Sequence, residues 1–163
     1  MPNKIEWLIA FLAANNNESI KGITRFEKLL YLYLNKFKYF NDAESFGFEA
    51  YRFGPHSDSI RDLLYALRDR DLLYIIQKPT DSLLELDTGD EIKPINYDKR
   101  EIYKLTPKGQ EIAKKVIQRI PDFKHLTEFK KRFSSVELNK LIRIVYTEFP
   151  RMTTKSEILK KIL

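Results

Sequence analysis

Cysteine is absent from the 163 residues, which removes disulfides, thiolate zinc ligation and a cysteine nucleophile at once. Histidine occurs only twice, at His56 and His125, too sparsely for a histidine-based metal centre or proton relay. The five glycines form no phosphate-cradling run. No apolar stretch approaches the ~20 residues that a membrane-spanning helix requires. No basic segment followed by an apolar one opens the chain as a secretion signal does. Repeats and low-complexity runs are missing too. The expectation is a soluble, cytoplasmic protein without metal, cofactor or membrane partner.

What is present suffices for a core: 43% of the residues are apolar. The net charge is +6, unevenly spread. From Lys108 onward there are 14 Lys and Arg against 6 Asp and Glu, a local balance of +8, while the preceding residues sum to −2. A basic segment can hold a phosphate backbone by releasing its counterions; a solvated Lys/Glu surface is the plainer reading.

The stretch from Phe53 to Gly109 organises the rest. Phe53-Gly54-Pro55-His56-Ser57 reads as a turn. Asp58 to Arg70 follows as a helix, with Ile60, Leu63, Leu64 and Leu67 at helical spacing. Asp71 to Ile76 turns into an apolar strand, and Ile102, Tyr103 and Leu105 mark its returning partner. A polar, mostly acidic tip lies between them. Thr106-Pro107-Lys108-Gly109 then opens a helix, with Thr as cap and Pro at the first helical position. Helix, two-stranded wing and capped helix are the grammar of a winged helix. The expected fold is mostly α (α+β): a winged helix-turn-helix over residues 1–120, with a C-terminal helical segment, 121–163, that packs on it or serves dimerisation.

The remaining segments fit around this frame. Asn3 to Ala14 reads as a first helix ended by Asn15-Asn16-Asn17, since Asn tolerates left-handed backbone. Ile20 to Ile23 reads as a connector. Thr24-Arg25-Phe26-Glu27 matches a capping box before a helix from Arg25 to about Lys36, buried on more than one side, with Lys28 as its polar exception. Asn41 to Ser45 reads as loop or a short turn, and Phe46 to Phe53 as a strand or extended arm ending at Gly54-Pro55. The helix after Thr106 continues to about Ile120, with Ile112, Val116 and Ile117 inward. Asp122 to Phe133 is a further helix, with Lys124, Lys130, Lys131 and Arg132 expected on its outside. Ser134 or Ser135 caps the next one, to about Glu148. Thr154-Lys155-Ser156-Glu157 is a second capping box.

Three stretches carry a family likeness: Arg25-Phe26-Glu27-Lys28-Leu29-Leu30-Tyr31-Leu32, the Phe53-Gly54-Pro55-His56-Ser57 turn, and Leu67-Arg68-Asp69-Arg70-Asp71-Leu72-Leu73. Together they resemble the Panacea-type domain of SocA-like antitoxins and related winged-helix proteins, over about Thr24 to Leu73. The resemblance implies a small regulatory or antitoxin module. Asp71 stands where winged-helix relatives commonly carry Gly, and the acidic tip is long for a wing that touches DNA.

Function follows in two readings. The first is a non-catalytic regulator of transcription on duplex DNA, resting on fold-level analogy and the positive total charge. It places Ser57, Ser59, Arg61, Arg68 and Arg70 near the DNA, with Lys130, Lys131 and Arg132 as backbone contacts. The alternative is an antitoxin- or adaptor-like protein-interaction module. It uses the outward helix face of Asp58, Asp62, Tyr65 and Asp69, with Leu83, Leu84 and Leu86 of the tip as anchors. A homodimer fits either. His56-Ser57-Asp58 contains the residue types of a hydrolytic triad, but adjacent residues rarely converge on one reacting atom, and a helix-capping turn is the better account. Tyr31, Tyr33, Phe37, Tyr39 and Phe40, interleaved with Lys36 and Lys38, offer either a packed core edge or a clamp for single-stranded nucleic acid.

Overall fold

The structure, a computed structural model, describes residues 1–51, 54–78 and 101–150. It is mostly helical, with two small antiparallel sheets, an α+β arrangement. Helix α1 (Lys4–Asn17) is followed by strand β1 (Ile20–Lys21), helix α2 (Ile23–Lys36), the short α3 (Phe40–Ser45) and the paired strands β2 (Glu49–Tyr51) and β3 (Gly54–His56). Then come α4 (Asp58–Asp69), β4 (Leu73–Gln77), β5 (Glu101–Leu105) and α5 (Pro107–Val116), which runs into a single 3₁₀ turn, Ile117–Arg119. Helices α6 (Phe123–Phe133) and α7 (Leu138–Glu148) complete the described chain.

The β4 and β5 strands lie side by side and antiparallel, Leu73 opposite Leu105 and Gln77 opposite Glu101. Ile20 and Lys21, read from sequence as a connector, add a third strand beside β5, opposite Tyr103 and Ile102. The order across the sheet is β1-β5-β4. Of the expected strand or extended arm, the described residues 46–51 contribute β2 alone, and Gly54-Pro55-His56 pair back on it with Ala50 opposite Pro55. Residues 41–45, read as loop or a short turn, lie within α3.

Each helix boundary has a local cause. At α1, the Glu6 N–H donates to Asn3 Oδ1 at 2.8 Å while Asn3 N–H donates to Glu6 Oε1 at 3.0 Å, a reciprocal cap. The same helix stops where expected, with Asn15, Asn16 and Asn17 all left-handed, φ 56°, 56° and 59°. Helix α2 begins at Ile23, two residues earlier than the capping-box reading, after Gly22 at φ 95°. Thr24 is therefore already inside the helix, and Glu27 is turned to another task. Helix α5 is rotated from its expected face. Gly109, Ala113 and Val116 are buried and Ile112 is exposed, because the backbone of Gly109 rests against the Leu72 carbonyl. Helix α7 starts after Glu137, not at Ser134 or Ser135. The carbonyls of Ser134 and Val136 instead accept from Arg25 Nη1 at 3.1 and 2.5 Å.

Helix α2 is the axis of the core, with Phe26, Leu29, Leu30, Leu32, Tyr33 and Leu34 fully buried. Trp7 and Phe11 of α1 meet Tyr33 edge-on, and Tyr103 of β5 meets Phe26 in the same way, a geometry that suits aromatic quadrupoles. Leu126, Phe129, Leu141 and Val145 of α6 and α7 belong to the same continuous cluster. The acidic tip with Leu83, Leu84 and Leu86, and the Thr154 capping box, lie outside the described residues.

Candidate functional site

Helix α4 and the β4–β5 pair present one surface, and three buried polar arrangements fix it. The first holds the start of α4. Glu27 and Lys28 of α2 are 3% and 1% exposed. Charges so deep require partners. Lys28 Nζ donates to the Pro55 carbonyl at 2.9 Å and sits 3.8 Å from Glu27 Oε1. Glu27 Oε2 accepts from the Ser57 N–H at 3.0 Å and lies 2.7 Å from His56 Nδ1. His56 Nε2 in turn lies 2.8 Å from Asp58 Oδ1. The hydrogen bond to Glu27, opposed by burial and helped by that charge and by Asp58, pushes His56 up to about 9. Gly54 is needed here, since its φ of 101° is left-handed and a Cβ would meet Lys28 Cε at 3.0 Å.

The second arrangement holds the middle of α4. Glu101 is 1% exposed, on the β5 face that also carries Tyr103 and Leu105. Tyr103 donates to its Oε1 at 2.6 Å. Its other oxygen accepts from the Tyr65 hydroxyl and from Arg61 Nη2, the latter at 3.2 Å. Burial works against the carboxylate, but the hydrogen bonds from Tyr103 and Tyr65 and the Arg61 charge hold it below the usual range. The Tyr65 ring is flanked by two guanidiniums, Arg61 Cζ at 5.5 Å and Arg68 Cζ at 4.6 Å from its centre.

The third closes the end of α4. Asp71 is left-handed at φ 62°, with its N–H donating to the Arg68 carbonyl at 2.9 Å and the Leu72 N–H to that of Leu67 at 3.0 Å. This pair of bonds is the Schellman motif, whose left-handed position glycine usually takes. The Thr106 hydroxyl donates to the Asp71 carbonyl at 2.6 Å and accepts from the Gly109 N–H at 2.9 Å, so the cap of α5 also clamps the end of α4.

This geometry sorts the residues expected at a DNA backbone. Ser57 is 1% exposed, and its hydroxyl donates to the Phe46 carbonyl at 2.6 Å instead of facing outward. Ser59 lies 3.0 Å from that hydroxyl. Arg61 is half-buried against Glu101. Arg68 and Arg70 are exposed, with Arg68 Nε 3.4 Å from Asp69. On α6, Lys131 and Arg132 are exposed, but Lys130 corrects the expectation of an outward lysine. It is fully buried, and its Nζ donates to the carbonyls of Leu12, Ala14 and Glu18 at 3.2, 2.8 and 2.6 Å, closing the end of α1. Burial, partly countered by Glu18, pushes its ammonium down to about 7. The Ser57 hydroxyl, the Ser of the His56-Ser57-Asp58 run, is likewise engaged in the packing under α4.

The alternative set fares differently. Asp58, Asp62 and Asp69 are exposed on the outward face of α4, and Asp71 continues the row. From Asp58 to Asp71 the chain carries four Asp and three Arg. Tyr65 is half-buried among them. Sequence reasoning missed Glu101 as the organiser of this face. The signal was there: Glu101, Tyr103 and Leu105 recur at the strand period of two, so the carboxylate had to share the core-facing side. Among the described residues, no group of His, Asp and Glu has the arrangement of a metal site. No described helix is long and apolar enough to cross a membrane. The chain matches no protein-family model, no curated protein and no solved structure.

Proposed function

We propose that this chain is a non-catalytic winged-helix module that grips a protein partner through the outward face of α4, and that the partner's surface is basic. The fold part is supported by the order α1, β1, α2, α4, β4, β5 with a β1-β5-β4 sheet, in which α4 takes the place of the recognition helix and β4–β5 that of the wing. The likeness of residues 24–73 to Panacea-type antitoxin domains points the same way.

One observation carries the choice of partner. Arg61 is hydrogen-bonded to buried Glu101 and Arg68 lies beside Asp69, whereas Asp62 and Asp71 face solvent and Asp58 is exposed beside His56. A phosphate backbone brought to this face meets carboxylates of its own sign, and the counterion release that drives duplex binding is forfeited. A basic protein surface meets complementary charge around a ring already held in place, the arrangement that favours an interface anchor.

Ala66 is exposed on the same helix. The test places the photo-crosslinker p-benzoylphenylalanine at position 66 of the full chain in cells of its own source. The expected result is a protein adduct that disappears in the Asp58→Lys/Asp62→Lys/Asp69→Lys variant. An adduct unchanged by the charge reversal overturns the reading. So does duplex binding at low salt that is lost with Arg68→Glu and Arg70→Glu, which instead supports the DNA regulator.

A further inference from the structure

The aromatic and basic run after Tyr31 divides in two. Tyr31 and Tyr33 are core residues, at 4% and 0% exposure, while Phe37 and Phe40 remain 38% and 55% exposed. Phe37 forms one wall of a cleft of about 350 Å³ between the end of α2 and α6. Buried Phe129 and Phe133 and exposed Lys36, His125 and Arg132 line it too, with Glu128 as the one acidic lining residue. The His125 ring lies nearly parallel to Phe37, 27° apart with centres at 6.0 Å. Tyr33 braces the shelf from behind, 4.8 Å from Phe37 and 5.1 Å from Phe129. Arg132 and Lys36 sit 5.1 and 6.0 Å from the Phe133 ring. Lys36 also pairs at 3.5 Å with Glu148, both side chains about 40% exposed. Lys124 and Lys131 are exposed one turn either side of Glu128 on α6, which keeps the rim positive despite that carboxylate.

We infer that this cleft is a nucleotide-unit site: a nucleobase stacks on the Phe37–His125 shelf and its phosphate is met by Arg132 and Lys36. An aromatic pair fixed from behind loses little freedom on binding, and stacking of a base on such a ring is worth ~1–3 kcal/mol whatever the base. The volume suits one nucleotide and falls in the range of small-ligand sites, ~300–1,000 Å³. Arg132 is exposed beside the shelf, where it meets an anion without first being desolvated, and Lys36 exchanges its exposed Glu148 partner for the phosphate. The same chemistry is offered by a free nucleotide and by single-stranded nucleic acid. The site is separate from the α4 face and stands without it.

The two histidines provide a built-in probe, because His125 is in the cleft and His56 is in the Glu27 cluster. The experiment records the imidazole Cε1–H resonances of the full chain while adding AMP, inorganic phosphate or a ten-residue oligo(dA). AMP is expected to move His125 and leave His56 in place, with saturation. Phosphate alone is expected to move it less. Phe37→Ala and Arg132→Glu, each checked for folding by circular dichroism, are expected to weaken AMP binding about tenfold, the lower end of a stacking loss. Because Phe37 packs on Tyr33, Phe37→Leu is the second variant if the alanine unfolds the end of α2. Tighter binding of the oligonucleotide than of AMP assigns the site to a strand, and equal binding assigns it to the free nucleotide. No saturable movement of His125, equal movement of both histidines, or phosphate acting as strongly as AMP with Phe37→Ala without effect overturns the inference.

Discussion

The main chain at Gly109 sits so close to the Leu72 carbonyl that a Cβ at position 109 would lie 2.1 Å from its oxygen. That contact joins the first turn of α5 to the entry of β4, and it sets the rotation of α5 that buries Ala113 and exposes Ile112. Gly109→Ala forces one backbone to move. Its expected cost is about 3 kcal/mol, the top of the overpacking range, and more if the Thr106 clamp is lost too. Urea unfolding of the variant measures it. A loss below 1 kcal/mol means that the two segments separate easily.

Asp71 offers the opposite experiment on the same joint. Its left-handed φ of 62° strains an L side chain by ~1–2 kcal/mol, less for Asp than for most, and glycine carries no such strain. Against this stands the ~0.5–1 kcal/mol of extra backbone entropy that glycine loses on folding. Asp71→Gly is therefore expected to stabilise by about 0.5 kcal/mol. A raised urea midpoint with unchanged slope confirms it, and a destabilisation means that the Asp71 side chain does more than tolerate the turn.

Lys130 shows what was legible in the sequence and what was not. Leu126, Phe129, Lys130 and Phe133 are spaced three, four and seven apart, the buried stripe of an amphipathic helix, and all four are buried. The position was readable; the residue type misled, since lysine is rarely buried without partners. Its partners are carbonyls bared by the left-handed turn at Asn15 and Asn16, a turn the Asn run did foretell. The β4–β5 pairing and the Thr106 cap were readable because apolar alternation and cap chemistry are local. The role of Glu27 was not, because it depends on Gly22 starting α2 two residues early and on the Ser57 N–H, 30 residues further on just after β3. The surface residues of the candidate site were mixed: the Asp row on α4 followed from the helical period, whereas the capture of Arg61 by Glu101 joins positions 40 apart.

Lys130→Met keeps the length and apolar stem of the side chain and removes its donors. The carbonyls of Leu12, Ala14 and Glu18 then lose a shared partner. The expected loss is about 2–4 kcal/mol, since each buried acceptor left without a donor costs ~1–3 kcal/mol and some recover water. Thermal or urea unfolding reads it directly. A neutral result means that the end of α1 satisfies its carbonyls without the lysine.

His56 makes a prediction about pH. The hydrogen bond and charge of Glu27, with Asp58, raise it from 6.5 to about 9. The folded state therefore binds more proton than the unfolded state between those values, and stability falls as pH rises through that window. Below pH 6.5 the contribution is complete, and above about 9 it is gone. The urea midpoint of the natural chain minus that of His56→Gln is expected to be flat in acid and to shrink over this interval. Lys130 acts with the opposite sign, lowered from 10.5 to about 7, but it is common to both proteins and cancels in the difference. A difference that does not change with pH rules out the imidazolium as the group that ties β3 to α2.

Tyr65 and Glu101 connect the buried network to the α4 face for which a partner is proposed. The tyrosine hydroxyl donates to the carboxylate, and this bond, with the flanking Arg61 and Arg68, fixes the ring before anything binds. A double-mutant cycle of Tyr65→Phe and Glu101→Gln is expected to give a coupling of about 1–2 kcal/mol in folding stability, against the ~0.5 kcal/mol scatter of independent sites. The single change Tyr65→Phe leaves the ring area intact and removes only its tether. If the face works as a pre-set anchor, Tyr65→Phe also lowers the yield of the position-66 adduct while leaving the fold intact, because the free ring must be ordered at the moment of contact. A strong coupling in folding with an unchanged adduct separates the two roles: Glu101 then serves the fold, and the partner reads the carboxylates of α4 alone.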